Sequence, residues 1–159
     1  MAKCWKFGDN ISTDEILPVQ YMVVVDPQEL GSHIMENVRP DFAGKFQAGD
    51  IIIGGENYGY GSSREHAALA LKGAGASAVI ARSYARIFYR NALNIGLPAI
   101  ICPEAADGIE EGDRVEVNLE KGMIHNLTKG ITYSFPLFPP FIREIMEHGG
   151  LMETLNALA

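Results

Sequence analysis

Short apolar runs alternate with longer mixed stretches in the middle third of the chain, and this alternation predicts strands separated by helices. The predicted order is strand Ile51–Ile53, a helix over residues 63–72, strand Ala78–Ala81, a helix over residues 84–93 and a strand over residues 99–102. Strands without polar positions, joined by short loops, are typical of a parallel sheet covered by helices. The pattern therefore predicts a β-α-β-α-β arrangement.

The pattern changes in the last third of the chain. Residues 114–119 alternate between polar and apolar types with a period of two, and Gly122 ends a turn sequence that predicts a hairpin. A second hairpin is predicted at residues 128–130, followed by a helix over residues 141–146 that a pair of glycines closes. The expected fold class is α/β, with a parallel β-α-β-α-β part and an antiparallel C-terminal part.

The N-terminal part, up to about residue 45, is expected to be irregular because it shows no clear period. Residues 9–14 are rich in turn-forming and helix-capping types, and Pro18 interrupts any helix at that point. Residues 21–25 form a short apolar, β-branched run, for which a buried strand is one interpretation. Asp26 and the proline after it favour the opening of a helix there.

Length and charge limit the classes of function. At 159 residues the chain is expected to form one domain over residues 1–159, which is short for an enzyme that encloses its substrate alone, so a partner chain is expected. A formal charge of −7 and the lack of a basic run argue against nucleic-acid binding. No stretch is long enough to span a membrane, and the first residues lack the apolar core of a signal peptide, so a cytoplasmic protein is expected.

The two cysteines, Cys4 and Cys102, are far apart in the sequence and lack a C-x-x-C spacing. Neither a zinc site nor an iron–sulfur cluster can be built from these thiols alone, so any such cofactor must be supplied by another chain. We expect both thiols to be reduced and partly buried.

Residues 54–67 carry most of the functional information. They follow the first strand of the β-α-β-α-β run and lead into an alanine-rich stretch, which predicts a strand, a glycine-rich loop and a helix start. Four glycines allow a ligand to approach the main chain closely, and Ser62, Ser63 and Arg64 arrive together at the positive end of the helix. This combination predicts an anion-binding catalytic loop.

Other interpretations of this loop explain less of it. Ser62 and Glu65 match a capping box, which would satisfy free N–H groups at the helix start but leaves the glycines and Arg64 unexplained. The P-loop pattern fails because no lysine follows Gly61 at the required position. The nucleophile elbow of α/β-hydrolases fails because neither serine is followed two residues later by glycine.

Three segments together closely resemble the signature of the aconitase superfamily: residues 9–14 (DNISTD), 55–67 (GENYGYGSSREHA) and 81–91 (ARSYARIFYRN). They occur in the family's order, and the resemblance spans nearly the whole chain, with Tyr60 as a departure from many relatives. The resemblance is to the swivelling domain, a layered β/β/α fold. In several members, such as 3-isopropylmalate dehydratase and homoaconitase, this domain is a separate small subunit. It implies a large partner subunit that holds a [4Fe-4S] cluster.

The resemblance implies a hydro-lyase that dehydrates a hydroxy di- or tricarboxylate and rehydrates it with the hydroxyl on the neighbouring carbon. Ser62 would then be the base, as an alkoxide, while Ser63 and Arg64 would hold a substrate carboxylate, since a guanidinium grips a carboxylate through two hydrogen bonds. Asp14 would support the proton and hydroxyl chemistry, with a turn or cap role as the alternative. His66, four residues after Ser62 on the predicted helix, is either an acid or base or a structural hydrogen-bonding residue.

The energetics of Ser62 require a partner in this interpretation. A helix N-terminus stabilises a nearby anion by at most about 2 kcal/mol, which is too little to ionise a serine. Further N–H donors, Arg64 and the cluster of the large subunit must therefore contribute, the iron as a Lewis acid on the departing hydroxyl.

Val23 is relevant to the choice of substrate. Relatives that act on aconitate-like or homoaconitate-like substrates carry an arginine shortly after Pro18, near the position of Val23 here. Valine packs against an isopropyl group and leaves a carboxylate without a partner, which favours 3-isopropylmalate, and thus leucine biosynthesis, over homocitrate or citrate. Alternatives are the small subunit of a homoaconitase or of another aconitase-like dehydratase, for example of dimethylmalate, and a non-catalytic carboxylate-binding module.

Overall fold

The computed structural model describes residues 2–158, and in this part of the chain seven strands form one mixed sheet. The strands are β1 Ala2–Lys6, β2 Ile51–Ile53, β3 Ala78–Ala81, β4 Ala99–Ile101, β5 Arg114–Asn118, β6 Met123–Asn126 and β7 Ile131–Ser134. Their order across the sheet is β4-β3-β2-β1-β5-β6-β7. The strands β1 to β4 are parallel to one another and β5 to β7 are antiparallel, so the predicted α/β class with two differently built parts is confirmed.

Helices cover the sheet and carry its connections. They are α1 Thr13–Ile16, α2 Pro27–Gly31, α3 Phe42–Lys45, α4 His66–Gly73, α5 Arg86–Asn94, α6 Pro103–Gly108, α7 Pro140–His148 and α8 Leu151–Leu158, with a 3-10 turn at Val19–Tyr21. The crossovers α4 and α5 were both predicted, although each begins slightly later than expected. As predicted, α7 ends at Gly149, whose φ of +86° is the left-handed conformation that glycine adopts readily. The last helix, α8, was not predicted.

The parallel half is apolar along its strands because helices and loops bury both of its faces. Strand β2 lies between β1 and β3, with Ile52 opposite Trp5 on one side and Val79 on the other. Its alternate residues face opposite sides of the sheet: Ile52 belongs to the same buried cluster as Leu71 of α4, and Ile53 belongs to the cluster on the other face. A strand buried on both faces needs no polar position, so its run of isoleucines predicted it correctly.

The antiparallel half is a meander that uses the two predicted hairpins. Gly122 and Gly130 lie at the turns, each with a φ of +67°. Along β5 the buried Val115 is followed by the exposed Glu116, because this part of the sheet packs on the core with one face only. Strand β5 also pairs with β1, which places β1 at the junction of the two halves.

Two expectations for the N-terminal part are wrong. The segment expected to be irregular contains β1, in which Lys3 and Lys6 interrupt the apolar pattern. The Lys3 ammonium lies over the Trp5 ring, 4.3 Å from its centroid, a cation–π contact that accommodates the polar position within the strand. Residues 21–25 do not form a buried strand: Tyr21 ends the 3-10 turn, the residues after it are in no strand, and Val23 is 86% exposed.

Candidate active site

The three motif segments meet at one edge of the sheet. They follow β1, β2 and β3, which are neighbouring parallel strands, so all three leave the sheet at its carboxyl edge. This edge is where open α/β sheets bind their ligands. The glycine-rich loop, residues 54–65, lies between the other two segments and connects β2 to α4.

Main-chain hydrogen bonds join the loop to the segment after β1. The N–H of Gly59 donates to the carbonyl of Ile11 at 2.7 Å, and the N–H of Thr13 donates to the carbonyl of Tyr60 at 2.8 Å. The two chains therefore run side by side, as two short parallel strands do.

Side chains join the loop to the segment after β3. The N–H of Asn57 donates to Ser83 Oγ at 2.8 Å, and Asn91 Nδ2 of α5 donates to the carbonyl of Ser63 at 3.1 Å. Between these points Tyr58 is fully buried, with its ring edge-on to that of Phe88. The loop is therefore fixed on both sides by elements distant from it in sequence.

Close packing explains two of the loop glycines. Gly59 has a φ of +85°, and a Cβ on it would lie 2.6 Å from the Cβ of Phe88. A Cβ on Gly55 would overlap the carboxylate of Asp9, which accepts the N–H of Glu56 at 2.7 Å. Side chains at these two positions would force the neighbouring segments apart.

Ser62 lies in the loop and not in the helix, because α4 begins only at His66. Its side chain is half-buried. Its N–H donates to Thr13 Oγ1 at 3.0 Å, and its Oγ accepts the N–H of Arg64 at 3.1 Å. The proposed base thus already has one N–H donor on its oxygen.

The predicted capping box of Ser62 and Glu65 does not form. Glu65 is the residue before α4 but has helical backbone angles and makes no side-chain capping bond. The Ser62 hydroxyl instead binds the amide two residues later, a local turn that serine forms in competition with helix. A capping box forms at α1: Ser12 Oγ accepts the N–H of Glu15 at 3.1 Å, and Glu15 Oε1 accepts the N–H of Ser12 at 3.0 Å.

Ser63 and Arg64 are both exposed at the tip of the loop. Two other arginines are paired with carboxylates, Arg39 with Glu111 and Arg82 with the glutamate at position 56. Arg64 has no ion-pair partner among residues 2–158. Its guanidinium is therefore available for an anionic ligand.

The structure brings Asp14 and His66 to the same region by different routes. Asp14 is exposed on α1, next to Thr13, whose hydroxyl binds the Ser62 amide. His66 is the first residue of α4, is half-buried, and its Nδ1 has no hydrogen-bond partner in the described part of the chain. The prediction that His66 and Ser62 share a helix face is wrong, because Ser62 precedes the helix.

Val23 is presented on the surface. Its neighbours Tyr21, Met22 and Val24 pack against the core, whereas Val23 itself is 86% exposed. The ring of Tyr21 stacks on His33 with centroids 3.8 Å apart and planes 8° apart. This segment is therefore anchored on both sides of an outward-facing valine.

Comparison with known proteins assigns the chain to a family. The aconitase C-terminal domain family matches residues 4–105, which include all three motif segments. The chain belongs to this family. A 3-isopropylmalate dehydratase small subunit of Archaeoglobus fulgidus is 54% identical over 99% of this chain and 98% of its own length. The isopropylmalate/citramalate isomerase small subunit of Methanocaldococcus jannaschii is 55% identical over 98% of this chain and 92% of its own length.

The fold of this aconitase-family chain is also that of a solved relative. The crystal structure of a 3-isopropylmalate dehydratase from Methanocaldococcus jannaschii superposes with a TM-score of 0.92 at 44% identity, covering 99% of this chain and 93% of that chain. The resemblance to the swivelling domain of the aconitase superfamily, inferred from the three motifs, is therefore confirmed.

The cysteines of this aconitase-family chain do not form a metal site. Cys4, in β1, and Cys102, before α6, are both buried and free. Burial, with the charges of Asp113 and Asp50, raises the pKa of the Cys4 thiol to about 12, which disfavours the thiolate that binds metals. Among residues 2–158 no group of three or more His, Cys, Asp and Glu side chains is placed to hold a metal ion. In the same part of the chain, no helix is long and apolar enough to cross a bilayer.

Sequence reasoning did not single out Thr13 or Asn91, the two side chains that bind the main chain of the loop at Ser62 and Ser63. Both lie inside the motif segments that identify the aconitase family. Thr13 is 1% exposed although it is polar and follows a capping serine. The local sequence pattern carried no signal for either residue, because each acts through a hydrogen bond to a segment distant in sequence.

Proposed function

We propose that this chain is the small subunit of a hydro-lyase of the 3-isopropylmalate dehydratase type. The enzyme would interconvert 2-isopropylmalate and 3-isopropylmalate by loss and return of water, as a step of leucine biosynthesis in the cytoplasm. One observation carries the proposal: a short loop carries the Ser62 hydroxyl, an N–H donor to its oxygen and, two residues later, the side chain of Arg64, which has no ion-pair partner among residues 2–158. The names of relatives that match nearly the whole chain support the substrate.

The loop supplies two functions that this reaction needs. Arg64 binds a substrate carboxylate through two parallel hydrogen bonds, with the Ser63 hydroxyl as a further donor. Ser62 takes the proton from the carbon next to a carboxylate. The electron pair of that C–H bond forms the double bond while the C–O bond on the adjacent carbon breaks, and the departing hydroxyl takes a proton from a general acid, His66 or a group of the partner subunit, to leave as water. Return of water with the hydroxyl on the other carbon gives the isomer.

Asp14 and His66 have supporting roles in this proposal. Asp14 lies on α1, which is tied to the loop at Ser62 through Thr13, and this supports assigning its carboxylate to the proton and hydroxyl chemistry. The Nδ1 atom of His66 is buried within this chain and has no partner among the described residues, so an acid or base role for His66 would use its other ring nitrogen.

The site is incomplete on this chain, which supports assembly with a larger subunit. Ser63 and Arg64 are exposed, and electrostatic stabilisation of an anion is weak where water has access. The names of the relatives, as small subunits, imply a larger partner. We assign the [4Fe-4S] cluster to that partner, because the described residues of this chain do not fit it. When bound, the cluster supplies Lewis acidity toward a hydroxyl group.

Val23 is the proposed specificity residue. An exposed valine contacts the substrate only when the partner subunit covers it, and it then favours an alkyl group over a carboxylate. Val23→Arg should lower turnover of 3-isopropylmalate and add some turnover of homoaconitate. Val25→Arg is the matched control, because Val25 is equally exposed at 85% and lies two residues away. If Val23→Arg keeps full activity on 3-isopropylmalate and gains none on homoaconitate, the specificity residue is elsewhere.

The test of the proposed function is a reconstituted pair. The chain is co-expressed with the large subunit of its own source, the cluster is restored without oxygen, and turnover is followed by the absorbance of the unsaturated intermediate. The substrates are 3-isopropylmalate, citramalate, homoaconitate, citrate and dimethylmalate; citramalate is included because the name of one relative contains it. We expect turnover of 3-isopropylmalate by the pair and none by this chain alone.

Variants of the loop separate a catalytic subunit from a carboxylate-binding module. Ser62→Ala should lower kcat by about 10²–10⁴-fold, the range for loss of a general base, whereas Ser63→Ala should mainly raise KM. Both side chains are at least partly exposed, so neither change should lower the melting temperature much. Undiminished turnover by Ser62→Ala would remove the serine-base mechanism. Binding of a dicarboxylate without turnover of any substrate would favour the binding module.

A further inference from the structure

Thr13, at the start of α1, binds the main chain of the proposed base. Its side chain is 1% exposed, and its Oγ1 accepts the N–H of Ser62 at 3.0 Å. The two residues are 49 positions apart in the sequence, so this contact joins the first motif segment directly to the glycine-rich loop.

The side chain of Thr13, and not its main chain, makes this hydrogen bond. The N–H of Thr13 donates to the carbonyl of Tyr60, so the two chains lie side by side at this point. The carbonyl of Thr13 already accepts the N–H of Leu17, because the chain turns into α1 here. The Thr13 hydroxyl therefore accepts the N–H of Ser62 in place of a main-chain carbonyl of the neighbouring segment.

This hydrogen bond restrains Ser62 itself, between the two points at which the loop is also held, the carbonyls of Tyr60 and Ser63. Gly61, immediately before Ser62, has a φ of +120°, a conformation open to glycine, and it carries no side chain to limit its rotation. Among residues 2–158 the Ser62 hydroxyl itself binds only the N–H of Arg64, which belongs to the same loop. The Thr13 hydroxyl is fixed, because it lies on a buried helix start.

We propose that Thr13 is a positioning residue for the base. Its hydroxyl holds the main chain of Ser62 so that the Ser62 oxygen stays aligned with the carbon that loses the proton. Thr13 does not touch the substrate in this proposal and acts only through Ser62. The effect of Thr13 on catalysis rests on the proposed function, whereas its hydrogen bond to the Ser62 amide does not. The two are therefore tested by separate measurements.

Thr13→Val and Thr13→Ser form the pair of test variants. Valine has the shape of threonine without the hydroxyl, and serine keeps the hydroxyl. In the reconstituted pair, Thr13→Val should lower kcat about tenfold or more, which corresponds to about 1.4 kcal/mol, while KM changes less than about twofold. Thr13→Ser should restore kcat to within about threefold of the wild type.

Thr154→Val is the matched control for the loss of a buried hydroxyl. Thr154 is also fully buried, and its hydroxyl donates to the carbonyl of Gly150 at 2.8 Å in the C-terminal helices. This variant should lower the melting temperature without lowering kcat. An equal loss of kcat in Thr154→Val and Thr13→Val would show that kcat follows general stability, and would overturn the positioning role.

Amide hydrogen exchange tests the contact without any activity. In the isotopically labelled chain, the Ser62 amide should exchange about tenfold or more faster in Thr13→Val than in the wild type, and Thr13→Ser should retain protection. A Ser62 amide equally protected in Thr13→Val, or a wild-type kcat in that variant, overturns the inference. Absence of turnover by the wild-type pair refutes the proposed function instead, and the exchange result still decides whether Thr13 holds Ser62. If Thr13→Val does not fold, Thr13→Ala is subjected to the same two measurements with the same deciding results.

Discussion

Replacing Gly59 with alanine should destabilise the chain more than the same change at Gly112. The two glycines have nearly equal backbone angles, with φ of +85° and +90°. They differ in their surroundings: a Cβ on Gly59 would lie 2.6 Å from the Cβ and 2.7 Å from Cδ1 of Phe88, whereas a Cβ on Gly112 meets nothing within 4 Å. The pair therefore separates the cost of the backbone conformation from the cost of the close approach.

The magnitude follows from these two terms. A residue other than glycine in a left-handed conformation costs about 1–2 kcal/mol, and Gly112→Ala should lose about this much stability. Gly59→Ala adds overpacking of about 1–3 kcal/mol, because Phe88 is 2% exposed and has no solvent to move into. The expected difference between the variants is therefore about 1–3 kcal/mol, or roughly 2–4 °C in melting temperature for each kcal/mol.

Unfolding in guanidinium chloride, followed by the fluorescence of the single tryptophan, measures both variants. Gly59→Ala should move the midpoint more than Gly112→Ala, with similar slopes. The double variant Gly59→Ala, Phe88→Leu then identifies the contact: removal of the ring should make the double loss smaller than the sum of the single losses. Equal midpoints for the two alanine variants, or additive losses in the double variant, would refute the close approach of Gly59 to Phe88.

Arg64→Lys in the reconstituted pair should raise KM about tenfold, because an ammonium cannot make two parallel hydrogen bonds to a carboxylate; an unchanged KM would show that Arg64 does not bind it. Burial raises the pKa of Asp113, but a backbone N–H and the Asn126 amide outweigh this, so the pKa lies below its usual value. The stabilisation that results from ionised Asp113 is complete above the pKa of the unfolded state, near 4, and is lost as the pH falls through the pKa of the folded state. The difference in unfolding free energy between wild type and Asp113→Asn should therefore shrink below about pH 4 and stay constant above about pH 6. Asp50→Ala leaves the buried Trp5 N–H without its acceptor at 3.0 Å and should lower the free energy of unfolding in guanidinium chloride by about 1–3 kcal/mol; an unchanged midpoint would contradict this.

The elements that sequence reasoning located are those with a complete local signal. Strands Ile51–Ile53 and Ala78–Ala81 are buried on both faces, so every position is apolar and the run alone defines them. Strand β1 has no such signal, because only the adjacent Cys4 and Trp5 are buried and Lys3 and Lys6 lie on either side of them. Its place in the centre of the sheet depends on pairing with β2 and β5, which are about 45 and 110 residues away in sequence.

In the candidate site, too, the sequence predicted what has a local signal and missed what depends on tertiary contacts. The types and order of Ser62, Ser63 and Arg64 were visible in the motif, whereas the start of α4 was not. A serine followed three residues later by Glu65 fits a capping box and equally fits a local turn, and the tertiary hydrogen bond from the Ser62 amide to Thr13 favours the turn. A local sequence pattern cannot predict this hydrogen bond, because Thr13 and Ser62 lie in different segments of the chain.

The late start of α4 strengthens the argument that Ser62 needs a partner. The effect of a helix dipole falls off within the first turn, and Ser62 lies four residues before His66, so α4 stabilises a Ser62 alkoxide by less than the limit of about 2 kcal/mol. The N–H of Arg64, at 3.1 Å from the oxygen, adds about 1.5–3 kcal/mol as a hydrogen bond to a charged group. Together these terms lower the pKa of the hydroxyl by less than about four units, which leaves an aliphatic alcohol protonated at neutral pH. The remaining stabilisation must come from exclusion of water, from the Arg64 guanidinium and from charges of a partner subunit, so the proposed role of Ser62 as a base requires a partner subunit that covers the loop.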